Sequence, residues 1–567
     1  MISRFIYFCL VVLIFTCAVF AVPASAGTPD DSYKPERYYA ADASTQTTTL
    51  AVYDNDTNDA LTLTFTPPAD KDFIVIASAL TNYQTINNST ILHLLLGPTL
   101  SEKTSYSETS HKPIDTTMNW RGFGTHKILS ATGGTSYTAK IQFKSEVGGV
   151  GETAYIKRCA IAVLEVFNYE SVESNGESYG THTVYSSGNK VTLNVTPSEE
   201  ADYIIFATAN TYNLTENKGT LAQIAKDVTG QDTEIETVTE VYASWGYMER
   251  ETLAAVQHTF TMDYKSEAGG TAYIKDARIA VVLASDLGAN QYAESEAASE
   301  TELNTYDNDT NNKVTLTLSS LPTRNDYIII GQGLGRNEAT GGGGGFYANL
   351  DIDGTSYGEY VFKASDRNLY RSFFILTKVN LTAATHTVKI QYKADTTATK
   401  GAWIKNANVI AINANTVESY TTSGHTAIDN AYGVGENTAY TWAHGLDVST
   451  TYDVVYYEAG ASGTKITTNS GLTPTDYGNL SSMADLTTDE GAATGFWHAV
   501  VFRLGSSPPE TYNLAAGNAG YVTEDSFDVA AEAIPEFSTI MAAISVSGLC
   551  FGAYYWLRKR RLGRIKV

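Results

Sequence analysis

The feature that most constrains this 567-residue chain is a pair of adjoining strand-like segments that occurs three times. In each copy apolar and polar residues alternate, a short turn of small residues follows, and the second segment opens with A-Y/W-I-K before it alternates again. The copies occupy residues 137–166, 258–283 and 386–412. Alternation with a period of two predicts β-strands, and the short turn predicts that the paired strands are antiparallel neighbours.

Further strand-like runs precede each pair. Phe73–Ile76, Tyr203–Phe206 and Tyr327–Ile330 each follow an aspartate, and no segment before Thr539 has helical periodicity. Many short strands with Gly, Asn and Asp turns predict an all-β protein of tandem antiparallel β-sandwich domains, with jelly-roll or Greek-key wiring. The predicted domains are residues 27–170, 171–290 and 291–416.

The repeated pattern ends near residue 416, but strand-like segments continue. Runs at 452–457 and 497–502 predict a diverged fourth β domain over residues 417–507. Two prolines then interrupt strand pairing, and acidic, alanine-rich sequence follows. Residues 508–537 are therefore predicted to form a stalk.

Both ends of the chain carry apolar segments. Residues 1–26 contain an apolar run that ends in Ala-Ser-Ala, which is typical of a signal peptide cleaved after Ala26. Residues 538–557 predict one transmembrane helix, and residues 558–567 predict a basic cytoplasmic tail. The stop-transfer cluster consists of Arg558, Lys559, Arg560 and Arg561. The body of the chain is therefore expected outside the cell, anchored to the membrane.

A short motif, Pro535-Glu536-Phe537, stands directly before this helix and its basic end. The arrangement resembles the PEF-CTERM sorting signal of archaeal surface proteins, and the resemblance covers only the C-terminal end of the chain. It implies processing by an archaeosortase-like enzyme, which would replace the helix with a lipid anchor. The basic tail to Val567 is longer than the minimal pattern.

Charge and cysteine content narrow the function classes. The chain has 62 acidic and 38 basic residues, which gives a net charge of -24. A polyanion repels nucleic acid, so we expect no nucleic-acid partner. Cys159 is the one cysteine outside the two terminal apolar segments, so no disulfide within the body is expected.

Two identical YDNDTN segments are the clearest candidate for ligand chemistry. They offer oxygen atoms from Asp54, Asp56, Asn58, Asp307, Asp309 and Asn311. Oxygen ligands at alternate loop positions suit calcium, although neither segment has the glycine and glutamate of an EF-hand. The alternative is an Asx-rich turn, because such side chains cap their own backbone. No cofactor other than this candidate calcium ion is predicted.

Sequons for N-glycosylation are numerous, as expected for a surface glycoprotein. They lie at Asn55, Asn87, Asn88, Asn194, Asn213, Asn308, Asn380 and Asn479.

No catalytic motif emerges from the sequence, and no enzyme is expected. The histidines are scattered without an HExxH motif, and no G-x-S-x-G segment occurs. His258 and His386 open the same strand in two copies, which favours a shared structural place. The sequence therefore predicts a structural protein of the cell surface that contacts its neighbours by self-assembly. The alternative is an adhesin or carbohydrate-binding protein that recognises surface glycans, with or without calcium.

Overall fold

The alternating runs of the sequence form β-strands throughout the computed structural model. It describes residues 35–529 except 54–57, 68, 84–87, 99–103, 112–119, 150–151, 186–187, 216–217, 228, 231–234, 238–242, 288–290, 307–310, 320–324, 338–344, 364–369, 383, 396–400, 421–430, 433–437, 445, 447–450, 458–464, 474–479, 486–494, 504–507 and 509–520. These residues form 35 strands and no helix. The prediction of an all-β protein with several antiparallel sheets is confirmed.

The first sandwich has eight strands. They are β1 (Arg37–Thr48), β2 (Asp59–Phe65), β3 (Lys71–Tyr83), β4 (Thr90–Gly97), β5 (Thr104–His111), β6 (Arg121–Ala131), β7 (Tyr137–Ser145) and β8 (Ala154–Glu165). One sheet has the order β1-β8-β3-β6 and the other β2-β7-β4-β5. Apart from the β4–β5 hairpin, consecutive strands lie in opposite sheets, which is the crossing pattern of a jelly roll. Side chains from both sheets, such as Phe65 and Phe73, fill the core between them.

The second sandwich repeats this order with its first and fifth strands each divided in two. Its strands are β9 (Tyr169–Ser174), β10 (Ser178–Gly180), β11 (Asn189–Val195), β12 (Ala201–Asn213), β13 (Thr220–Lys226), β14 (Thr229–Gly230), β15 (Ile235–Thr237), β16 (Ala243–Leu253), β17 (His258–Ser266) and β18 (Ala272–Leu283). In one sheet β9 and β10 both pair with β18, and the order continues through β12 to β16. In the other sheet the order is β11-β17-β13, and both β14 and β15 pair with β13.

The third sandwich has the same wiring. Its strands are β19 (Gln291–Ser295), β20 (Ser299–Thr301), β21 (Asn312–Leu318), β22 (Asn325–Asn337), β23 (Gly345–Ile352), β24 (Thr355–Lys363), β25 (Arg371–Leu381), β26 (His386–Ala394) and β27 (Ala402–Asn413). One sheet contains β19 and β20 beside β27-β22-β25, and the other has the order β21-β26-β23-β24.

A C-terminal β domain follows with different wiring. Its strands are β28 (Thr416–Tyr420), β29 (Ala431–Tyr432), β30 (Thr438–His444), β31 (Tyr452–Tyr457), β32 (Lys465–Leu472), β33 (Leu480–Asp485), β34 (Gly495–Arg503) and β35 (Tyr521–Val529). They form a β28-β30-β33 sheet and a β29-β35-β34-β31-β32 sheet, with β29 parallel to β35. Strand β35 lies within the segment 508–537 that was predicted to be a stalk, and it pairs with β34, so residues 521–529 belong to the sheet of this domain. The prolines that suggested a stalk lie in the connection between these two paired strands.

The sheets that contain β3, β12 and β22, here called the inner sheets, pack against one another. Their strands are apolar on both faces, as in Phe73-Ile74-Val75-Ile76. Phe73 and Val75 face the core of their own sandwich, whereas Ile74 and Ile76 lie in a second core shared by all three sandwiches. Each fully buried aliphatic side chain contributes about 1.5–3 kcal/mol relative to exposure, so this shared core holds the sandwiches together.

The contacts between the inner sheets follow a cycle. Edge strand β6 packs on β12, β16 packs on β22, and β25 packs on β3. The three edge strands also contact one another. Each sandwich therefore meets the next in the same way, in an approximate threefold arrangement within one chain.

The C-terminal domain contacts the third sandwich at a buried carboxylate. Asp326, 2 % exposed, lies 3.6 Å from Lys378 Nζ and 3.5 Å from Arg503 Nη2 of strand β34. Asn415 also donates its Nδ2 to Asp326 at 3.5 Å. This aspartate is the second residue of β22, the strand whose motif recurs in all three copies, and here it is paired with cations from two domains.

Candidate functional site: a cleft between the second and third sandwiches

The cyclic packing creates equivalent positions at the contacts between sandwiches, which the strand register identifies. Ile76 of β3 pairs with His126, and Phe206 at the equivalent position of β12 pairs with Met248. The next residues along the partner strands, Lys127 and Glu249, are therefore equivalent. The pair Arg278 and Glu173 is likewise equivalent to the pair Asn408 and Glu294. At the remaining contact the equivalent residues are Thr377, Ala160 and Ala41, none of which is charged.

The contact between the first and second sandwiches is an ion-pair network. Glu173 accepts from Lys127 Nζ at 2.5 Å and from Arg278 Nε at 3.4 Å. Burial would raise the pKa of Glu173, but the bond from Lys127 and the charge of Arg278 outweigh it and hold that pKa below its usual value. The cleft at this place encloses about 260 Å³. Two cations and one carboxylate therefore join these sandwiches.

The contact between the second and third sandwiches has a larger cleft and the opposite charge. Its cleft encloses about 640 Å³, within the usual size range of small-molecule sites. The principal lining residues are Tyr247, Glu249, Glu294, Glu296, Tyr370 and Lys405. Three carboxylates and one ammonium group thus line the cleft.

Tyrosine hydroxyls position two of these carboxylates. Tyr247 donates to Glu249, and Tyr292 donates to Glu294. Tyr292 Oη also lies 3.0 Å from Asn408 Oδ1, within hydrogen-bond distance. Asn408 donates to the Met248 carbonyl at 2.5 Å, which links the two sandwiches directly. The ammonium of Lys405 lies 4.7 Å from the ring centroid of Tyr370. The walls of the cleft are therefore held in place from both sides.

Burial raises the pKa values of two acidic groups in this cleft, Glu249 and Tyr247. It raises the pKa of Glu249 to about 7, and the nearby carboxylates of Glu251, Glu294 and Glu296 add to the shift, against the lowering effect of the Tyr247 bond. Burial and the Glu249 charge also raise the pKa of Tyr247. Glu249 therefore exchanges a proton near neutral pH, which an exposed glutamate does not.

The YDNDTN segments lie partly outside the described residues, which include Asn58 and Asn311 but not Asp54, Asp56, Asp307 or Asp309. Both asparagines are buried. Asn58 Nδ2 donates to the Val52 carbonyl at 2.9 Å, and Asn311 Nδ2 donates to the Thr305 carbonyl at the same distance. In both copies the side chain closes the loop that precedes it, which favours the Asx-turn alternative for these two positions. Among the described residues no group of three or more His, Cys, Asp or Glu side chains could hold a metal ion.

The sequons differ in exposure. Asn55, Asn87, Asn308 and Asn479 lie outside the described residues. Asn194 is exposed, whereas Asn213 is 1 % exposed and donates to the Gly219 carbonyl at 2.9 Å and to Ser266 Oγ at 3.1 Å. Asn88 donates to Glu152, and Asn380 donates to Asp326. Asn194 therefore has the most accessible position of the four.

The sorting motif Pro535-Glu536-Phe537, the cluster Arg558–Arg561, the signal peptide and the C-terminal segment all lie outside the described residues. In the part of the chain that is described, no helix has the length and apolar character to cross a membrane.

The shared histidine position predicted for His258 and His386 is a local cap. His258 Nδ1 lies 2.8 Å from Asp227 Oδ2, and His386 pairs in the same way with Asp353. Both aspartates have positive φ, 49° and 51°, and each also accepts from the next backbone N–H after the histidine at 2.8 Å. This arrangement fixes a turn to the start of a strand.

The sequence reasoning missed the cleft residues Glu249 and Glu294. One glutamate among many has no local signal. Aligning the repeated strands would have shown a change from Lys127 to Glu249 and from Arg278 to Asn408 at equivalent positions, but not that these positions meet across two sandwiches.

No protein-family model matches the sequence, and no curated protein does. Solved structures match it with low scores. PNGase F, a glycosylasparaginase from Flavobacterium meningosepticum, is 10% identical with a TM-score of 0.23, over 43% of this chain and 96% of its own. PNGF-II is 6% identical with a TM-score of 0.21, over 60% of this chain and 98% of its own. The tandem CBM22 domain of Xyn10C from Paenibacillus barcinonensis is 7% identical with a TM-score of 0.13, over 43% of this chain and 93% of its own. These scores are too low to support any inference about function, and the strands themselves define a multidomain β-sandwich protein.

Proposed function

We propose that this chain is a structural protein of the cell surface, with its β-sandwich body outside the cell and a PEF-CTERM-like signal at its anchored C-terminus. The observation that best supports a structural role is the core shared by the three sandwiches. A shared apolar core makes the modules one mechanical unit, which suits a building block of an envelope better than a set of independently moving binding modules. The net charge of -24 suits a body exposed to the medium.

Intact-mass measurement of the protein from native membranes tests this proposal. We expect loss of residues 1–26 and of the segment after about Glu536, together with added lipid mass. A chain that ends at Val567 without lipid would contradict sortase-type processing and leave a plain transmembrane anchor. A chain recovered from the cytoplasm with its first residues intact would contradict the surface role altogether.

The second candidate is an adhesin or carbohydrate-binding protein. The larger cleft, lined by tyrosines and carboxylates, is the observation that favours it. A glycan array with the purified protein, run with and without calcium, distinguishes the two. A signal lost on substituting one lining residue would favour adhesion, whereas regular self-assembly without glycan binding would favour the structural role.

A further inference from the structure

The two polar contacts between sandwiches are equivalent places with opposite charge. At the first contact, Lys127 and Arg278 provide two cations to one carboxylate, Glu173. At the second contact, Glu249 and Asn408 replace the two cations, while Glu294 keeps the carboxylate. The positions that hold cations in one cleft therefore hold none in the other.

The cleft at the second contact also has the volume that those cations would fill. It encloses about 640 Å³, compared with about 260 Å³ at the equivalent contact. The carboxylates of Glu249 and Glu294 are both held by tyrosine hydroxyls, so their positions are set before any ligand arrives. Preorganised groups lose less entropy on binding.

The charges around the cleft favour a cation over an anion. Glu296 lines it beside Glu249 and Glu294, and Lys405 is the cationic group among the described lining residues. Lys405 lies against the ring of Tyr370, so that ring and the ammonium already form a contact on the third-sandwich wall. The neighbouring Glu251 is paired with Lys226. The acidic side chains thus outnumber the cation three to one, and a bound cation would favour the ionised form of Glu249.

We propose that this cleft binds a small organic amine, whose ammonium group lies between Glu249 and Glu294 as Lys127 and Arg278 lie around Glu173 at the sister contact. An ammonium can donate to both carboxylates at once, and charge-assisted bonds are the stronger kind. Metal ions fit less well, because the described side chains of the cleft form no metal-binding group. The amine would also bridge the second and third sandwiches, since Glu249 belongs to one and Glu294 to the other.

Isothermal titration of the full chain in detergent with cadaverine tests the site, with the diol of equal chain length as the uncharged probe. We expect cadaverine to bind with an affinity that falls with added salt, and the diol to give no signal. Glu294→Gln removes an exposed carboxylate and should weaken binding about tenfold or more. Glu173→Gln, the same change at the sister contact, is the matched control and should leave cadaverine binding unchanged.

Glu249→Lys is the sharpest variant, because it places in the larger cleft the cation found at the equivalent position of the smaller one. It should abolish cadaverine binding and raise the melting temperature. Absence of cadaverine binding, equal binding of the diol, or unchanged binding in both Glu249→Lys and Glu294→Gln would overturn the proposal. Binding of calcium in place of cadaverine, or of a lysine-containing peptide but not free cadaverine, would also overturn it, by assigning the cleft to a metal or to a protein partner.

Discussion

The ring of Tyr360 in the third sandwich lies directly over Gly122 in the first, where a Cβ atom would overlap the ring. Tyr360 is 1 % exposed, and its hydroxyl donates to the Phe374 carbonyl at 2.6 Å. Glycine at this position therefore allows the edge strand of one sandwich to approach the other. The threefold arrangement depends on such close contacts as well as on apolar area.

Gly122→Ala should therefore destabilise the protein, because the buried ring has no free space to move into. Overpacking of this kind costs about 1–3 kcal/mol. Thermal unfolding measures the effect, and Gly176→Ala is the control, since no atom lies within 4 Å of the Cβ it would add. Equal melting temperatures for the two variants would show that the contact is not tight.

The stabilising contribution of Glu173 should be lost in acid. Its folded-state pKa lies below the usual value, so its contribution is present above the unfolded pKa and is lost as the pH falls through the folded value. Melting curves across acidic pH should show a loss that is smaller in Glu173→Gln. An identical pH dependence in wild type and variant would contradict an ionised bridge between Lys127, Glu173 and Arg278.

Glu249 should have the opposite effect. Its pKa is raised to about 7, so its contribution is complete below the unfolded pKa, about 4.3, and is lost as the pH rises through the folded value. We expect the melting temperature to decrease as the pH rises from about 4.3 to about 7. The decrease should be smaller in Glu249→Gln. If the wild type gains stability over that range relative to the variant, the protonated form is not the one that the fold favours.

The variant Asn311→Asp distinguishes the two interpretations of the YDNDTN segment, an Asx-rich turn and a calcium site. Aspartate keeps the oxygen ligands but lacks the amide donor that reaches the Thr305 carbonyl. Loss of a buried hydrogen bond costs about 1–3 kcal/mol, so the melting temperature should fall both with and without calcium. A variant that calcium restores to wild-type stability would instead establish a metal site in the YDNDTN segment. Asn58→Asp repeats the test in the first sandwich.

Glycopeptide mapping of the native protein should find Asn194 occupied and Asn213 unmodified. The Asn213 amide nitrogen is buried and already donates two hydrogen bonds, so a glycan there would remove one of the two N–H donors and place a sugar in a buried site. Occupancy at Asn213 would show that glycans are added before the second sandwich folds. An unmodified Asn194 would count against a glycosylated coat.

The sequence was informative about strands because their signals are local. Period-two alternation located the pairs β7–β8, β17–β18 and β26–β27, and turn residues separated their members. It did not predict β35, since Pro508 and Pro509 indicated an end to strand pairing although β35 pairs with β34 from beyond them. A long-range pairing leaves no local mark on either strand.

What the sequence determined by itself is therefore the all-β class, the threefold repetition and the acidic charge, each of which depends on composition or short-range order. Only the tertiary structure decided that the repeats share one core and that Glu249 faces Glu294. Ile74 and Ile76 were visibly apolar, but an apolar outer face does not say what covers it. The partner is chosen by packing among residues far apart in sequence, such as Ile76 and Leu376, which belong to the same shared core. That choice also fixes which charges meet in the clefts.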